Sequence, residues 1–254
     1  MDDARTEMLE LVRRQLAIDM NCSPEDFMRD GTLFTESTLH PNRRMFDRQI
    51  PFLEAATMGK GIVITGDPVL LSRAKPHLEG KSRDDLFSAP FLYGHSLYYL
   101  LATDSAPVLP YPEGIRLEVR SEVEIHSLYA VRGFENAIQY DVAHPRPDAL
   151  VLSAYKGDTI IGMAGASADC EQMWQIGIDV LPPFRGLGLA ACLVSRLAQL
   201  ILEKGKTPYY GTSSSNIASQ SVAYRSGFMP AWMCTYRHAL DGKTPYGDLG
   251  IVVG

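Results

Sequence analysis

The chain has 254 residues, of which 46% are hydrophobic and 21% charged, and this ordinary balance excludes disordered, collagen-like and coiled-coil classes. Its 24 Lys and Arg against 30 Asp and Glu give a formal net charge of -6, which argues against nonspecific binding to nucleic acid. An anionic small ligand is still allowed, because a few backbone N–H groups and one Arg are enough to hold a phosphate.

Signals for export, membrane insertion and metal binding are not found in the sequence. The acidic start lacks the basic and apolar segments of a signal peptide, and no uncharged apolar run approaches the ~20 residues that span a bilayer. The cysteines form no C-x-x-C pair: Cys22, Cys170, Cys192 and Cys234. We therefore expect a cytoplasmic protein with no metal, nucleic-acid or membrane partner. The assembly state is open, with a homodimer among the options.

Residues 1–110 are predicted to form a smaller mixed helix-and-strand domain that carries no chemical motif. An amphipathic helix is predicted from Ala4 to about Ile18, and Ser23-Pro24 has the pattern of a helix start. Two strands, 52–57 and 61–65, are predicted to flank a turn, and Asp67-Pro68 opens a further helix. The segment 106–114, rich in Pro and Gly, is the predicted linker.

Residues 115–254 show a clearer alternation of strands and helices. The predicted strands are 115–119, 149–154, 159–165, 173–181, 207–212 and 228–236, and the predicted helices are 121–138, 186–204 and 216–226. The helix at 186–204 has the most regular apolar stripe, through Leu189, Leu193 and Leu197. This order predicts an α/β (α+β) fold around one mixed central sheet flanked by helices.

The most informative segment is the strand-to-helix turn at 180–191. A strand ends, two prolines lead away from it, and Gly186 and Gly188 open the long helix. Glycine lets a backbone approach a ligand closely, and a helix start offers unpaired N–H groups with partial positive charge. Arg185 adds a guanidinium. The turn therefore predicts a site for a di- or polyphosphate ligand.

One such ligand is a dinucleotide, because residues 186–191 fit the loose pattern G-x-G-x-x-A. Two features oppose it. A bulky segment separates the strand from Gly186, whereas a dinucleotide turn follows its strand closely. The next strand, 207–212, contains no acid to bind a ribose. A dinucleotide-dependent oxidoreductase is kept as an alternative.

The other ligand is coenzyme A. Residues 180–190 read VLPPFRGLGLA and fit V-x-P-x-x followed by Q/R-x-x-G-x-G/A, and Asn216 and Gly227-Phe228 follow at a matching separation. In these motifs the segment from about Ile115 onward resembles the GNAT superfamily of acyl-CoA-dependent N-acyltransferases. The first 110 residues lie outside the resemblance.

The resemblance implies that an acyl-CoA binds in a V-shaped opening between strands 173–181 and 207–212. It implies backbone pairing of the pantetheine arm near a strand bulge, and a cradle of N–H groups for the pyrophosphate. Asn216 would contact the arm or cap its helix. The implied strand residues are Ile178, Asp179 and Val180, and the implied turn residues are Arg185, Gly186, Leu187, Gly188, Leu189 and Ala190.

Candidates for proton transfer are less clear in this sequence. Glu171 begins the central strand, near where some relatives place a base. The resemblance implies a tyrosine acid seven residues after Asn216, but that position is Ala223. Tyr224 stands one residue later, which turns its side chain by about 100° on a helix. Tyr209 and Tyr210 are further candidates for the acid.

The resemblance implies an N-acetyltransferase that moves an acetyl group from acetyl-CoA to a small-molecule or peptide amine, by direct attack on the thioester. The alternative is a module that binds or senses acyl-CoA without turnover, which the missing tyrosine at Ala223 favours.

Overall fold

A computed structural model describes residues 3–44 and 52–235 of this chain. Within these ranges the helices are α1 (Asp3–Met20), α2 (Pro68–Leu78), α3 (Arg83–Phe87), α4 (Leu189–Glu203) and α5 (Ile217–Arg225). The strands are β1 (Thr32–Glu36), β2 (Leu53–Thr57), β3 (Ile62–Gly66), β4 (Ser96–Leu101), β5 (Ile115–Ser121), β6 (Asp148–Lys156), β7 (Thr159–Ala168), β8 (Met173–Val180), β9 (Thr207–Ser213) and β10 (Phe228–Cys234). Short 3₁₀ helices lie at Pro24–Phe27, Glu122–Ala130 and Pro182–Phe184.

These elements form two compact units. The first comprises the described residues of Met1–Met8, Tyr99–Thr212 and Asn216–Pro230, and the second those of Leu9–Tyr98, Ser213–Ser215 and Ala231–Gly254. The expected domains, 1–110 and 115–254, remain a sequence-based prediction. The predicted end of the last strand at Tyr236 lies outside the described residues.

The first unit contains a mixed sheet whose strands are hydrogen-bonded in the order β4–β9–β8–β7–β6–β5. From β5 to β8 each neighbouring pair is antiparallel, and β8 pairs with β9 in parallel. The predicted hairpin is confirmed as β6 and β7. This mixed sheet flanked by helices confirms the predicted fold class.

Helix α4 covers one face of this sheet, as its leucine stripe predicts. Leu189, Leu193 and Leu197 are buried. A β-carbon added at Gly162 in β7 would lie 3.1 Å from Leu193 and 3.2 Å from Leu189. The glycine therefore allows α4 to pack tightly onto the strands beside the turn.

The opposite face is covered by a 3₁₀ helix and a loop. The predicted helix over 121–138 is therefore wrong beyond Ala130, and its first part is 3₁₀ rather than α-helical. The 3₁₀ helix ends at Ala130, and Gly133 adopts a φ of +96° that a helix does not use. Phe134, Ala137 and Ile138 then pack into a buried cluster with Met163 of β7. Tertiary packing thus overrides the helical period of this segment.

The second unit builds its sheet in the order β1–β3–β2–β10. Strands β2 and β3 are antiparallel and fully buried, which confirms the predicted pair of strands. Strand β1, strand β4 and helix α3 are not anticipated by the sequence analysis. The helix expected to start at Ser23-Pro24 is only a four-residue 3₁₀ helix. None of the helices in the described ranges is long and apolar enough to cross a membrane.

Candidate functional site

Strands β8 and β9 separate part-way along their length. Their parallel pairing runs from Met173↔Thr207 to Ile176↔Tyr210 and then ends, although both strands continue. On its other edge β8 stays paired with β7 as far as Val180. We call the resulting gap the wedge: it lies between residues 177–180 and 211–212, and the Ile176↔Tyr210 pair is its closed end.

Alternate residues of β8 direct their backbone groups into the wedge. The N–H of Leu181 donates to Ile161 O of the β7 side at 2.9 Å, and the N–H of Thr207 donates to Gln172 O at 2.8 Å. Because backbone polar groups of a strand alternate between its two edges, Ile178 and Val180 face the wedge and Asp179 faces β7. The backbone of Asp179 is therefore not available to a ligand in the wedge. The β7–β8 register also runs without a shift, so the implied bulge is absent from this ladder of the described chain.

The turn that follows β8 presents a row of backbone donors. Gly186 and Gly188 have φ values of +80° and +82°, a region that strongly favours glycine. Within residues 3–44 and 52–235, the N–H groups of residues 186–191 have no hydrogen-bond acceptor, and α4 has no side-chain cap. With the partial positive charge of the helix start, these groups form a cradle for an anion.

Two arginines flank this cradle in different ways. Arg185 is one of the residues predicted to bind phosphate. Its Nε donates to Val180 O at 2.8 Å, and this hydrogen bond holds the Arg185 side chain against the end of β8. A β-carbon added at Gly188 would lie 3.5 Å from Nη2 of Arg225, the last residue of α5. Arg225 was missed by the sequence analysis, because only the packing of α5 against α4 brings it to the turn.

Asn216 caps α5 beside the wedge. Its Oδ1 accepts a hydrogen bond from the N–H of Ser219 at 3.1 Å, so one of its two predicted roles, capping, is present. The Ser219 hydroxyl lies 2.7 Å from the hydroxyl of Tyr210, and Tyr210 is buried, which raises its pKa. A pair of protonated hydroxyls therefore lies near the closed end of the wedge.

The other tyrosine candidate, Tyr224, is turned away from the wedge. It is 49% exposed, and its ring packs edge-on against Tyr99 of β4 with centroids 5.7 Å apart. Strand β4 neighbours β9 on the side away from β8. The one-residue offset from Ala223, which is buried, thus places Tyr224 over a different strand.

Glu171 also lies away from the wedge. It is exposed in the turn before β8, and the five residues to Ile176 span about 16 Å at the rise of a strand. A buried polar cluster lies nearer to the closed end. The Tyr209 hydroxyl donates to Asp169, and its oxygen lies 3.2 Å from Oε1 of Gln175. Asp169 was missed because its partners are distant in the sequence.

The side chain of Asp179 binds a loop of the opposite face. Its carboxylate accepts hydrogen bonds from the N–H of Asn136 at 2.7 Å, from Nδ2 of Asn136 at 2.7 Å and from the N–H of Ala137 at 3.2 Å. No set of three His, Cys, Asp or Glu side chains that could hold a metal ion occurs in the part of the chain that the structure describes.

A splayed parallel strand pair, followed by a glycine turn whose N–H groups are unpaired, defines an α/β domain with an opening in its sheet beside a row of free backbone donors. Comparison with known proteins assigns the family. Residues 115–228 match the model of the acetyltransferase (GNAT) family, and this part of the chain is a GNAT acetyltransferase domain.

Several solved structures are similar to this chain. An acetyltransferase from the GNAT family from Colwellia psychrerythraea is 15% identical, with 57% of this chain and 56% of that chain covered and a TM-score of 0.43. A GCN5-related N-acetyltransferase-like protein from Streptococcus suis is 16% identical, with 70% and 72% covered and a TM-score of 0.42. The aminoglycoside N-acetyltransferase AAC(6')-Iy, in complex with CoA, is 23% identical, with 52% and 97% covered and a TM-score of 0.36.

The chain thus spans little more than half the length of the Colwellia protein that it matches. No curated protein matches it in sequence.

Proposed function

We propose that this protein is an N-acetyltransferase that transfers the acetyl group of acetyl-CoA to the amine of a small molecule or peptide. The observation that carries the proposal is the wedge beyond the Ile176↔Tyr210 pair, which opens next to the unpaired N–H groups of residues 186–191 within a GNAT domain.

In this proposal the diphosphate of acetyl-CoA accepts hydrogen bonds from the N–H groups of the turn. The guanidinium of Arg225 lies beside Gly188 and supplies positive charge. The pantetheine arm enters the wedge and pairs with the backbone of Ile178 and Val180. Val180 O already accepts from Arg185, so an arm that bonds to this carbonyl displaces Arg185 and releases its guanidinium toward the phosphates.

The reaction follows from this placement. The neutral amine attacks the thioester carbonyl, and the backbone N–H of Ile178, the neighbour of Val180 that faces the wedge nearer its closed end, stabilises the oxyanion. The carbon–sulfur bond then breaks, which leaves an amide and the thiolate of CoA. The nitrogen loses its proton to water, and the thiolate takes a proton from the Tyr210 hydroxyl. Tyr210 then regains a proton from water through the Ser219 hydroxyl 2.7 Å away, so the net proton transfer is from nitrogen to sulfur. We place the acid at Tyr210 rather than at Tyr224 because Tyr210 forms the closed end of the wedge.

A thiol-release assay tests the proposal. Purified protein is incubated with acetyl-CoA and a panel of alkylamines, amino sugars and peptide amines, and free CoA is measured together with the acetylated product. Amine-dependent release with a matching product is expected. Amine-independent release, or a protein that does not bind acetyl-CoA in calorimetry, contradicts the proposal. The Gly188→Leu variant serves as the background control.

Binding of acyl-CoA without turnover is the second candidate. Two observations favour it: Ala223 stands where the resemblance implies an acid, and Glu171 lies about 16 Å along the strand from the wedge. Tight binding of acetyl-CoA without product from any amine class would support this candidate over the enzyme.

A further inference from the structure

Strand β5 forms one edge of the sheet in the first unit. It pairs with β6 along its whole length, from Ile115↔Lys156 to Ser121↔Leu150, and no strand in residues 3–44 and 52–235 pairs with its other side. The backbone N–H and C=O groups on that side are a template for one further strand. Strands β6 and β7 separate β5 from β8, so a strand added here leaves the wedge open.

One face of β5 carries apolar side chains that its own unit covers incompletely. Leu117 lies opposite Ala154 of β6, which lies opposite Gly162 beside α4. Since strand side chains alternate between faces, Ile115 and Val119 also lie on this face. Val119 is 46% exposed, and Ile115 and Leu117 are half-buried. A further strand would bury these three side chains more deeply.

The other face of β5 carries charges of alternating sign. Arg116 donates to Glu118 at 2.6 Å, and its guanidinium lies 4.1 Å from the centroid of the Tyr155 ring. Arg120 forms an ion pair with Glu118 and donates to the Tyr155 hydroxyl at 3.0 Å. The hydrogen bond from Arg116 holds the pKa of Glu118 below its usual value, so Glu118 is ionised at neutral pH. Charges on an edge strand oppose pairing with most sequences, so a strand that pairs with β5 must present matching charges.

A second copy of β5 presents matching charges in one register. When a two-fold axis relates two antiparallel strands, the residues that lie opposite each other are symmetric about the residue on the axis. With Leu117 on the axis, Arg116 of each copy lies opposite Glu118 of the other, and Ile115 lies opposite Val119. The segment 115–119 then pairs base with acid on one face and apolar side chains on the other, and both kinds of pair stabilise a sheet.

The neighbouring registers are less favourable. With Glu118 on the axis, Glu118 lies opposite its own copy and Arg116 lies opposite Arg120, so like charges repel each other. With Val119 on the axis, Arg116 lies opposite Glu122, which stands beyond the end of β5 and has a φ of +52°. The charge pattern and the length of the strand therefore favour the register centred on Leu117.

We propose that this protein forms a homodimer in which two β5 strands pair antiparallel about a two-fold axis at Leu117 and join the two sheets edge to edge. The interface is isologous, so it closes after two copies and exposes no further β5 edge. Five residues from each strand make a small contact, and we expect a Kd of about 1–100 µM. The interface does not depend on the proposed acetyl transfer.

Charge exchange across the axis tests this interface. Sedimentation velocity of the wild type, at concentrations on both sides of this Kd, should show a shift from the 28.1 kDa chain toward twice that mass. Arg116→Glu and Glu118→Arg each place like charges opposite one another at two sites, so each should raise the Kd at least about tenfold. The double variant Arg116→Glu/Glu118→Arg restores opposite charges and should regain the dimer.

A mixture of the two single variants gives a sharper result. One copy then carries acids and the other copy bases at both paired positions, so an equimolar mixture should form a heterodimer although each variant alone dimerises weakly. Asp158→Arg is the matched control. It makes the same charge change as Glu118→Arg at an exposed carboxylate in the β6–β7 turn and should leave the Kd unchanged. Far-UV circular dichroism checks that each variant is folded.

Cysteine cross-linking tests the register. The α-carbons of directly opposite residues lie about 4.5–5.5 Å apart, which a disulfide spans, so Leu117→Cys should give a covalent dimer under mild oxidation. In Val119→Cys the two new thiols are offset by four residues, about 13 Å along the strands, and should not cross-link. Wild type, whose own cysteines are free, gives the background on a non-reducing gel.

Several outcomes would overturn the proposal. A wild type that stays monomeric, together with Leu117→Cys that does not cross-link, removes the interface. A dimer that Arg116→Glu strengthens has Glu118 on its axis, because Arg116→Glu would then face Arg120. A dimer that both single variants leave unchanged lies on another surface. If the double variant and the mixture both stay monomeric although folded, the pairing of Arg116 with Glu118 is wrong.

Discussion

Ile176 and Tyr210 form the last pair between β8 and β9, so the Tyr210 side chain stands where the two strands part. Its hydroxyl lies 2.7 Å from Ser219 Oγ. If this hydroxyl protonates the departing thiolate, Tyr210→Phe should lower kcat by about 100-fold, the lower end of what a general acid contributes. The affinity for acetyl-CoA, measured by calorimetry, should change little because the ring remains.

Tyr224→Phe provides the comparison for this prediction. Tyr224 is half exposed and packs on Tyr99, so its loss should cost much less than the loss of Tyr210. A larger fall in kcat for Tyr224→Phe than for Tyr210→Phe would assign the acid to Tyr224 instead.

Gly188 should be required for phosphate binding. Leucine at this position must adopt a φ of +82° and would place its side chain between the cradle and the ligand, so we expect acetyl-CoA affinity to fall by at least about tenfold. The strain itself should cost about 1–2 kcal/mol of stability. Gly205→Leu is a matched control, since Gly205 has a φ of +69° at the far end of α4. Equal losses of affinity in both variants would attribute the effect to strain rather than to the cradle.

Arg225 should strengthen acetyl-CoA binding through its charge. An exposed ionic contact contributes about 1 kcal/mol, so Arg225→Gln should weaken binding by about fivefold. This loss should shrink at high salt because exposed charges are screened. Arg196→Gln is the control variant. It removes an exposed charge on α4, about two turns beyond Gly188, and should have little effect on the affinity for acetyl-CoA. Dephospho-CoA, which lacks the 3′-phosphate but keeps the diphosphate, locates the contact. If Arg225→Gln no longer weakens the binding of this ligand, Arg225 contacts the 3′-phosphate and not the diphosphate.

Asn216 has a structural role that one substitution series can separate from ligand contact. Asn216→Ala removes the cap on Ser219 and should cost about 1 kcal/mol in urea unfolding. Asn216→Ser should keep most of the cap. If Asn216→Ser is stable but binds acetyl-CoA more weakly, the amide also contacts the ligand. Unchanged affinity would leave capping as its role.

Tyr99 should make the protein less stable in alkali. Burial raises its pKa to about 12, whereas an unfolded tyrosine titrates at about 10. Above about pH 10 the unfolded state therefore binds fewer protons than the native state, and the free energy of unfolding falls as pH rises toward about 12. Tyr99→Phe should flatten this decline in urea titrations between pH 9 and about 11. An unchanged slope would contradict the assignment.

The sequence by itself determined the features that depend on near neighbours in the chain. The apolar stripe of α4 and the glycines of its first turn are local signals, because helical period and positive φ are properties of a few consecutive residues. The hairpin of β6 and β7 is of the same kind. These signals were enough to predict the glycine turn as a phosphate site, which stays a prediction, and to indicate the family whose model matches residues 115–228.

Only the tertiary structure decided what surrounds that turn. The register that ends at Ile176↔Tyr210 opens the wedge, and the bonds from residues 136 and 137 to Asp179 convert an expected helix into a loop. Arg225 reaches Gly188 only through the packing of two helices. Each of these contacts joins residues that are more than 30 positions apart, and their free energy depends on how the strands and helices pack, which no local pattern encodes.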